Sequence, residues 1–302
     1  MPPASPDGSV WHEGELAVQL RAGVGQVSGR GIRSSIPEGL IDFLREPRLI
    51  AFASVDSDRS TWASLRVGNS DFLRVLDPTT LETAPAALNG DPLLGNVANN
   101  PEVGMVIIDL ATRRRVRING EAQVLPDGGL RIQARQVYGN CPQYIQLRVA
   151  EQPPCSDHPS SLISRATELG QLQQEWVAGA DTLFIASAHP ERGLDASHRG
   201  GNPGFVKVEG GRRLIIPDYN GNNMFNTLGN ISTNSRAGLL FLDFARGRTL
   251  QLTGTATIDW DSDRSAFPSA QRLLIFDLEK LIEIAQPRLA SYVLKEYSPF
   301  NP

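Results

Sequence analysis

The chain has 302 residues, of which 40% are hydrophobic and 21% charged, a composition typical of a soluble globular protein. Its formal net charge of −4 argues against a general nucleic-acid or anionic-membrane binder. No apolar run approaches the length of a membrane span, and the first residues lack a signal-peptide pattern. We therefore expect a cytoplasmic protein that binds neither nucleic acid nor membrane.

In chain order, the sequence begins with an arm rich in Pro and Gly, for which Trp11 and Leu20 are the expected anchors. Pro37 then opens a short helix with one apolar face. Short apolar runs separated by polar turns follow, and they predict antiparallel strands, including a hairpin formed by MVIIDLA and RRRVRINGEAQVL. We divide the chain into an N-terminal arm (1–36), a first β domain (37–150), a linker and helix (151–176) and a second β domain (177–302).

Three later segments carry distinct patterns. The spacing of apolar residues predicts a helix over Leu162–Trp176, and LLIFDLEKLIEIA (273–285) predicts a strand that turns into a helix. Between them, the strand Leu214–Ile216 leads through the polar turn PDYNGNN into a helix start at Met224–Leu228. Such an arrangement can bind a phosphate, because backbone N–H groups and the positive end of the helix point at the anion.

The sequence contains an internal repeat, in which Gly95–Ala122 aligns with Gly229–Ala256 without a gap at an offset of 134 residues. Upstream, an offset of 133 residues aligns Ser64 with Ser197. The repeat predicts two copies of one β-rich domain, packed about a pseudo-twofold axis as a fused dimer. The identical pairs are Gly95/Gly229, Asn96/Asn230, Asn100/Asn234, Gly104/Gly238, Asp109/Asp243, Arg114/Arg248, Gly120/Gly254 and Ala122/Ala256.

The motifs RRRVRINGEA, GNCPQYIQ, DASHRGGNPGF, IPDYNGNNMFNTLGNI and LQLTG resemble those of the pyridoxamine 5′-phosphate oxidase-like family of FMN-binding flavoproteins, in its two-copy subgroup. The resemblance implies a mainly β (α+β) fold. Two tandem six-stranded antiparallel split β-barrels (Greek-key) would pack about a pseudo-twofold, with short flanking helices. It also implies that FMN binds where the two barrels meet.

The resemblance places the FMN phosphate on the turn from Pro217 to Asn223 and on the helix start that follows. Asn223 stands where the family often has a basic residue, so Arg199 is expected to supply the charged contact. Gln251 matches the position that faces the flavin ring. The cofactor-binding residues implied for the second half are Ser197, Arg199, Gly200, Pro217, Asp218, Tyr219, Asn220, Asn222, Asn223, Phe225 and Gln251.

The corresponding turn of the first half, AALNG (86–90), is followed by Asp91 and Pro92. A negative charge and a missing N–H group are both unfavourable for an anion, so this copy is expected not to bind FMN. We predict one FMN per chain, with two as the alternative. The first half is instead expected to contribute Trp62, Ser64, Arg115, Arg117, Gln143 and Tyr144 to the cofactor site.

The other reactive side chains give weaker indications. Cys141 and Cys155 are expected to be reduced thiols. The four histidines have no metal-ligand spacing, so no metal site is predicted. His198 lies beside the predicted cofactor site, and it is a candidate for protonating reduced flavin or substrate.

These features predict an FMN-dependent oxidoreductase that acts on a small molecule in the cleft between the barrels. They leave open the substrate, a further homodimer, and the choice between an oxidase and a reductase supplied by NAD(P)H or a reductase partner. The alternative is a flavin-binding electron-transfer module that serves a reductase partner. A haem- or deazaflavin-binding protein is the third interpretation, in which His198 is the histidine placed for haem.

Overall fold

The computed structural model describes residues 10–25, 27–46, 49–68, 72–85, 89–151, 160–289 and 292–302. Of the predicted features, positions 86–88 and Cys155 lie outside these ranges. None of the helices within them has the length and apolarity needed to cross a bilayer.

The N-terminal half consists of the arm, one antiparallel sheet and short helices. The predicted helix at Pro37 forms as a 3₁₀ turn followed by α2. The elements are α1 (Glu13–Arg21), a 3₁₀ turn (Gly29–Gly31), a 3₁₀ turn (Glu38–Leu40), α2 (Ile41–Arg45), β1 (Leu49–Val55), β2 (Thr61–Val67), β3 (Leu73–Asp77), β4 (Thr80–Thr83), α3 (Leu93–Asn99), β5 (Glu102–Asp109), β6 (Arg114–Val124), β7 (Leu130–Gly139) and β8 (Leu147–Ala150).

The C-terminal half has the same plan with one added strand. Its elements are β9 (Ser161–Ala166), α4 (Gln171–Ala178), β10 (Thr182–His189), β11 (Gly193–Gly200), β12 (Lys207–Glu209), β13 (Arg213–Asp218), α5 (Asn226–Thr233), β14 (Arg236–Asp243), β15 (Arg248–Asp259), β16 (Arg272–Ala285), a 3₁₀ turn (Pro287–Leu289) and β17 (Tyr292–Glu296). Strand β17 pairs with β8 of the first half, which ties the end of the chain to the junction of the halves.

The two sheets have identical topology. The first has the strand order β2-β1-β5-β6-β7-β4-β3, and the second has β11-β10-β14-β15-β16-β13-β12, with β9 paired to β16. Adding nine to each strand number of the first sheet gives the second. This confirms the predicted fold class, a mainly β protein of two antiparallel split barrels, although each path contains one strand more than the six expected.

The halves pack through faces made of small and apolar side chains. On β1, Ile50 and Phe52 point into the core of the first half, whereas Ala51 and Ala53 point towards the second half. This alternation is the period of two that a strand imposes. The approach is reciprocal: β2 packs on β14 and β15, and β11 packs on β5 and β6.

A glycine makes each of these approaches possible. A Cβ atom at Gly104 would lie 2.7 Å from the carbonyl oxygen of Leu194, and one at Gly238 would lie 2.6 Å from that of Thr61. Gly104 and Gly238 are one of the identical pairs of the repeat. Their matching positions in the interface place the two halves about the predicted pseudo-twofold axis.

Three local predictions were wrong. Leu20 is 82% exposed, so the arm is anchored through the buried Trp11 without it. The segment predicted as one helix from Leu162 contains β9 and, after a break, α4, because β9 pairs with β16. Residues 273–285 continue one long strand instead of turning into a helix, since they pair with β13 and then with β15 and β9.

Candidate functional site

A cleft lies where the two halves and the arm meet. It brings together most of the residues predicted for the cofactor site, and the arm adds Ala22 and Val24 to its wall. The predicted residues that line it are Arg115, Arg117, Gln143, Tyr144, His198, Arg199, Gly200, Pro217, Asp218, Tyr219, Asn220, Asn222, Asn223 and Phe225.

The turn between β13 and α5 forms one side of the cleft. Two of its residues, Asn223 (φ 58°) and Phe225 (φ 59°), have left-handed backbone conformations, which are uncommon for residues other than glycine. Asn222 Oδ1 accepts a hydrogen bond from the backbone N–H of Met224 at 3.0 Å. No side chain caps α5, and Asn226 lines the cleft. The start of α5 is therefore open to the cleft, an arrangement that binds anions.

The cation beside this helix start is Arg272. We expected Arg199 there, but a carboxylate of the cleft already pairs with it. Arg199 forms an ion pair with the Asp218 carboxylate. Arg272 Nε lies 3.3 Å from Asp218 Oδ2 without hydrogen-bond geometry, and Nη1 has no hydrogen-bond partner. The guanidinium is held against the rings of Phe225 (4.9 Å) and Trp260 (4.8 Å). Burial lowers the pKa of Arg272, but an arginine stays charged at physiological pH.

Arg117 fixes the first residue of α5. Its Nη1 donates to both oxygens of Asp195 (3.2 and 3.3 Å) and to Asn226 Oδ1 (3.3 Å). Asp195 also accepts hydrogen bonds from Tyr138 Oη and Ser197 Oγ, each at 3.0 Å. The predicted residue Ser197 therefore lies behind the cleft wall and orients Asp195. This buried network joins β6 of the first half to the helix start of the second.

Arg115 and His198 form the other charged part of the cleft. Arg115 lies two residues before Arg117 on β6, so both side chains are on one face of the strand. Arg115 Nη1 lies 2.9 Å from His198 Nδ1. Burial, followed by the charge of Arg115 and neighbouring arginines, lowers the pKa of His198 well below its ordinary value. His198 is thus neutral at physiological pH, and because Nδ1 accepts from Arg115, its proton lies on Nε2.

A loop of the first half that carries Gln143 and Tyr144 closes another side. Tyr144 Oη donates to the carbonyl oxygen of Asn220 at 2.8 Å, and the Tyr144 and Tyr219 ring centroids are 5.3 Å apart. The buried Gln146 donates from Nε2 to the Tyr144 carbonyl oxygen at 3.2 Å. A Cβ atom at Gly200 would lie 2.1 Å from that same oxygen, so a glycine is required for the loop to pass.

The arm supports the helix start from behind. Glu15 Oε1 accepts a hydrogen bond from Asn226 Nδ2 at 2.5 Å, and Oε2 accepts one from the backbone N–H of His12 at 2.9 Å. Glu15 is only 4% exposed, and burial raises the pKa of its carboxyl to about 7. Asn226 is therefore held between Glu15 of the arm and Arg117 of the first half.

Trp62, Ser64 and Gln251 do not line this cleft, contrary to prediction. Gln251 Nε2 donates to Asp91 Oδ2 at 2.5 Å, at the first-half copy of the site. The reason is the crossed packing of the halves, in which β15 packs on β2 of the first half. The repeat offset of 134 makes Arg117 the counterpart of Gln251, so Arg117 takes the cleft position that we had given to Gln251.

In the first half, the helix start is closed by a side chain of the protein itself. Asp91, the repeat counterpart of Phe225, accepts a hydrogen bond on Oδ1 from the backbone N–H of Leu93, the first residue of α3, at 2.9 Å. Its Oδ2 accepts from Gln251. Burial raises the pKa of the Asp91 carboxyl. The acidic residue that we expected to repel an anion therefore occupies the anion position at α3.

At the start of α1, His12 and Glu13 come together with His189, which is distant in the sequence, and the potential ligand atoms of the three residues lie within 4.8 Å of one another. The sequence spacing did not reveal this group. His189 Nε2 lies 2.9 Å from Glu13 Oε1, and its Nδ1 accepts from Glu191 N at 3.1 Å. His12 Nδ1 accepts from Gly14 N at 3.2 Å. His12 Nε2 lies 3.0 Å from Asn230 Oδ1, so each ring nitrogen of the two histidines has a hydrogen-bond partner within the protein.

The donor set of the cleft fits a phosphate-bearing group. Four arginines line the cleft, and their carboxylate partners are Asp195 and Asp218, which leaves two positive charges in excess. Buried nitrogen atoms without a partner are found on Arg272, Arg115 and His198. A phosphate ester carries about −1.5 to −2 charges at pH 7 and three acceptor oxygens, which matches this excess of charge and donors.

Sequence reasoning missed Arg272, Asp195 and the contribution of the arm. Asp195 could have been found, because Ser197 and Arg199 alternate with it on one face of β11. Arg272 carried no comparable signal. It lies beyond the gap-free part of the repeat, and its place opposite Asp218 depends on the pairing of β13 with β16.

Two antiparallel split barrels with a donor-rich cleft at their junction define a tandem split-barrel protein. A family model described as pyridoxamine 5′-phosphate oxidase matches residues 36–156 and 169–274, one segment in each half. The chain belongs to the pyridoxamine 5′-phosphate oxidase family, which includes oxidoreductases.

Several solved structures are similar in fold at low identity. HupZ of Group A Streptococcus is 11% identical, with a TM-score of 0.32 over 43% of this chain and 98% of that chain. An FAD-binding protein of Mesorhizobium loti is 10% identical, with a TM-score of 0.29 over 40% and 98%. HutZ, a heme storage protein of Vibrio cholerae, is 14% identical, with a TM-score of 0.27 over 37% and 89%. A search of curated proteins finds no significant match.

Proposed function

We propose that this protein is an FMN-dependent oxidoreductase that binds one FMN per chain in the cleft and acts on a small molecule there. The observation that carries the proposal is the uncapped start of α5 beside Arg272, whose buried Nη1 has no hydrogen-bond partner. The phosphate binds at this helix start, where backbone N–H groups and a charged side chain converge. Asn226, held by Glu15 and Arg117, keeps the helix start in place.

FMN supplies the two-electron chemistry, and the protein supplies binding, orientation and a water-poor site. Tyr144 and Tyr219 present aromatic faces at the side of the cleft. The loop of Tyr144 and the arm residues Ala22 and Val24 form part of the wall around the site. The electrons come from NAD(P)H or from a reductase partner, and O₂ or the substrate accepts them. His198 accepts on Nδ1 from Arg115, so its Nε2 carries the ring proton and is a donor. A donor beside an arginine favours an anion over a haem iron.

The first test is the binding of FMN to the purified protein, followed by flavin absorbance and by the dissociation constant. Arg272→Met should weaken FMN binding at least tenfold, because a hydrogen bond to a charged group contributes about 1.5–3 kcal/mol. The matched control is Arg213→Met, since Arg213 pairs with Asp277 on the same two strands but is exposed and outside the cleft. A protein that neither carries nor binds FMN would refute the proposal, and equal affinities of the two variants would refute the phosphate position.

A second measurement separates the possible activities. The FMN-loaded protein is reduced anaerobically and then mixed with air-saturated buffer, and both the flavin absorbance and the peroxide formed are followed. Fast reoxidation with stoichiometric peroxide identifies an oxidase. Slow reaction with O₂, combined with fast electron transfer to an added carrier, identifies a reductase or an electron-transfer module.

A further inference from the structure

One arginine of the cleft, Arg115, has no carboxylate partner among the described residues. Arg115 Nη1 contacts His198 Nδ1 at 2.9 Å and the His198 carbonyl oxygen at 3.4 Å, both of which are neutral acceptors. Arg115 Nε is buried without a hydrogen-bond partner. Every other arginine that lines the cleft lies within ion-pair distance of Asp195 or Asp218.

His198 completes this pair as a second donor. It is 4% exposed, and its Nε2 has no hydrogen-bond partner. With Nδ1 accepting from Arg115, Nε2 carries the ring proton and can only donate. Arg115 Nε and His198 Nε2 therefore both need an acceptor that the described protein groups do not provide.

The pair is separate from the phosphate position at α5. Arg272 lies on β16 of the second half, with its guanidinium against the rings of Phe225 and Trp260. Arg115 lies on β6 of the first half, with its guanidinium against His198. A phosphate bound at Arg272 would thus leave Arg115 uncompensated, and an uncompensated buried charge is strongly destabilising.

We propose that Arg115 and His198 form a second anion subsite in the cleft, which holds a negative charge other than that of the cofactor phosphate. This inference rests on the proposed function, because it assigns what lies beyond the phosphate in the same cleft. Two sources can supply the charge. One is an anionic group, such as a carboxylate or phosphate, on a small substrate. The other is the flavin ring, which becomes anionic when it takes up two electrons and one proton.

The test compares FMN-loaded wild type with Arg115→Met and Arg115→Lys. The matched control is Arg114→Met, because Arg114 directly precedes Arg115 on β6 but is exposed and stacks on Phe43 at 4.8 Å, outside the cleft. The first arm titrates the oxidised protein with inorganic phosphate or acetate and follows the flavin spectrum. The second arm reduces each protein with dithionite and measures the two-electron midpoint potential.

A substrate anion is the source if phosphate or acetate perturbs the wild-type spectrum and Arg115→Met binds the anion at least tenfold more weakly. The ring is the source if Arg115→Met lowers the two-electron midpoint potential by about 30 mV or more. This shift means that the variant favours the reduced over the oxidised cofactor at least tenfold less than wild type does. In either case Arg115→Lys should recover part of the effect, and Arg114→Met should behave as wild type.

Two results would overturn the subsite. One is that Arg115→Met changes neither the anion titration nor the potential, although the variant is folded and binds FMN. The other is that Arg115→Met weakens FMN binding as much as Arg272→Met, since Arg115 would then belong to the phosphate site. Failure of the wild type to bind FMN is a different outcome, and it removes the proposed function itself.

Discussion

The buried carboxyl of Glu15 makes a quantitative prediction about stability. Burial raises its pKa from 4.5 to about 7, a difference of about 2.5 units. At 1.36 kcal/mol per unit, ionised Glu15 destabilises the folded state by about 3 kcal/mol. Because the folded state retains the proton to a higher pH, this loss is absent below pH 4.5, grows between pH 4.5 and 7, and is complete above pH 7.

Glu15→Gln removes the ionisable group and keeps one of its two acceptor oxygens. Loss of the second hydrogen bond costs about 1 kcal/mol at every pH. The variant should therefore be about 1 kcal/mol less stable than wild type at pH 4.5 and about 2 kcal/mol more stable at pH 8. Urea unfolding at the two pH values, followed by tryptophan fluorescence, measures both differences. Comparing variant with wild type at each pH cancels the contributions of titrating groups that do not interact with Glu15.

Glu13→Gln is the matched control on the same helix. Glu13 is exposed, and its hydrogen bond from His189 lowers the pKa of its carboxyl, so removing it should not make the protein more stable as the pH rises. If the difference in unfolding free energy between Glu15→Gln and wild type is the same at pH 4.5 and pH 8, within about 0.5 kcal/mol, then Glu15 is not desolvated in the folded protein. The support that the arm gives to Asn226 would then need another explanation.

Two further predictions concern the first-half copy and the loop of Tyr144. The protein should bind one FMN per chain, measured as bound flavin per protein by absorbance, because Asp91 occupies the start of α3; a ratio of two would show that Asp91 leaves room for a phosphate. Gly200→Ala places a Cβ 2.1 Å from the Tyr144 carbonyl oxygen. Such overpacking costs about 1–3 kcal/mol and should lower both the melting temperature and FMN affinity. Gly139→Ala, where a Cβ meets nothing within 4 Å, is its control, and equal behaviour of the two variants would contradict the close contact.

The fold was largely predictable because its strongest signals are local or repeated. Strand patterns of period two and the alignment of Gly95–Ala122 with Gly229–Ala256 required no knowledge of tertiary structure. The turn before α5 was also predictable, since Asn and Gly favour the backbone conformations found there. The shared strand order of the two copies then follows, because similar sequence patterns fold into similar sheets.

The predictions that failed depended on tertiary pairing. Residues 273–285 have apolar positions that suit a helix or a strand, and the partners β9, β13 and β15 decide between the two. The sequence does not show that Arg199 has an ion-pair partner, because Asp218 reaches it only when β13 takes its place in the sheet. Gln251 was assigned to the wrong copy, because the sequence alone does not say that β15 crosses to the other half.

The two copies of the site differ at the starts of α3 and α5, because a fused chain can carry a different residue in each copy. In a homodimer, both copies of the site have the same sequence, so a carboxylate at the start of one helix would close both sites. In this chain, Asp91 closes α3 while Phe225, its counterpart, leaves α5 open and packs against Arg272. Likewise Arg117 and Gln251 are counterparts, yet the first fixes the open helix start and the second binds Asp91. Duplication and fusion therefore permit the start of α3 to be closed while the start of α5 stays open.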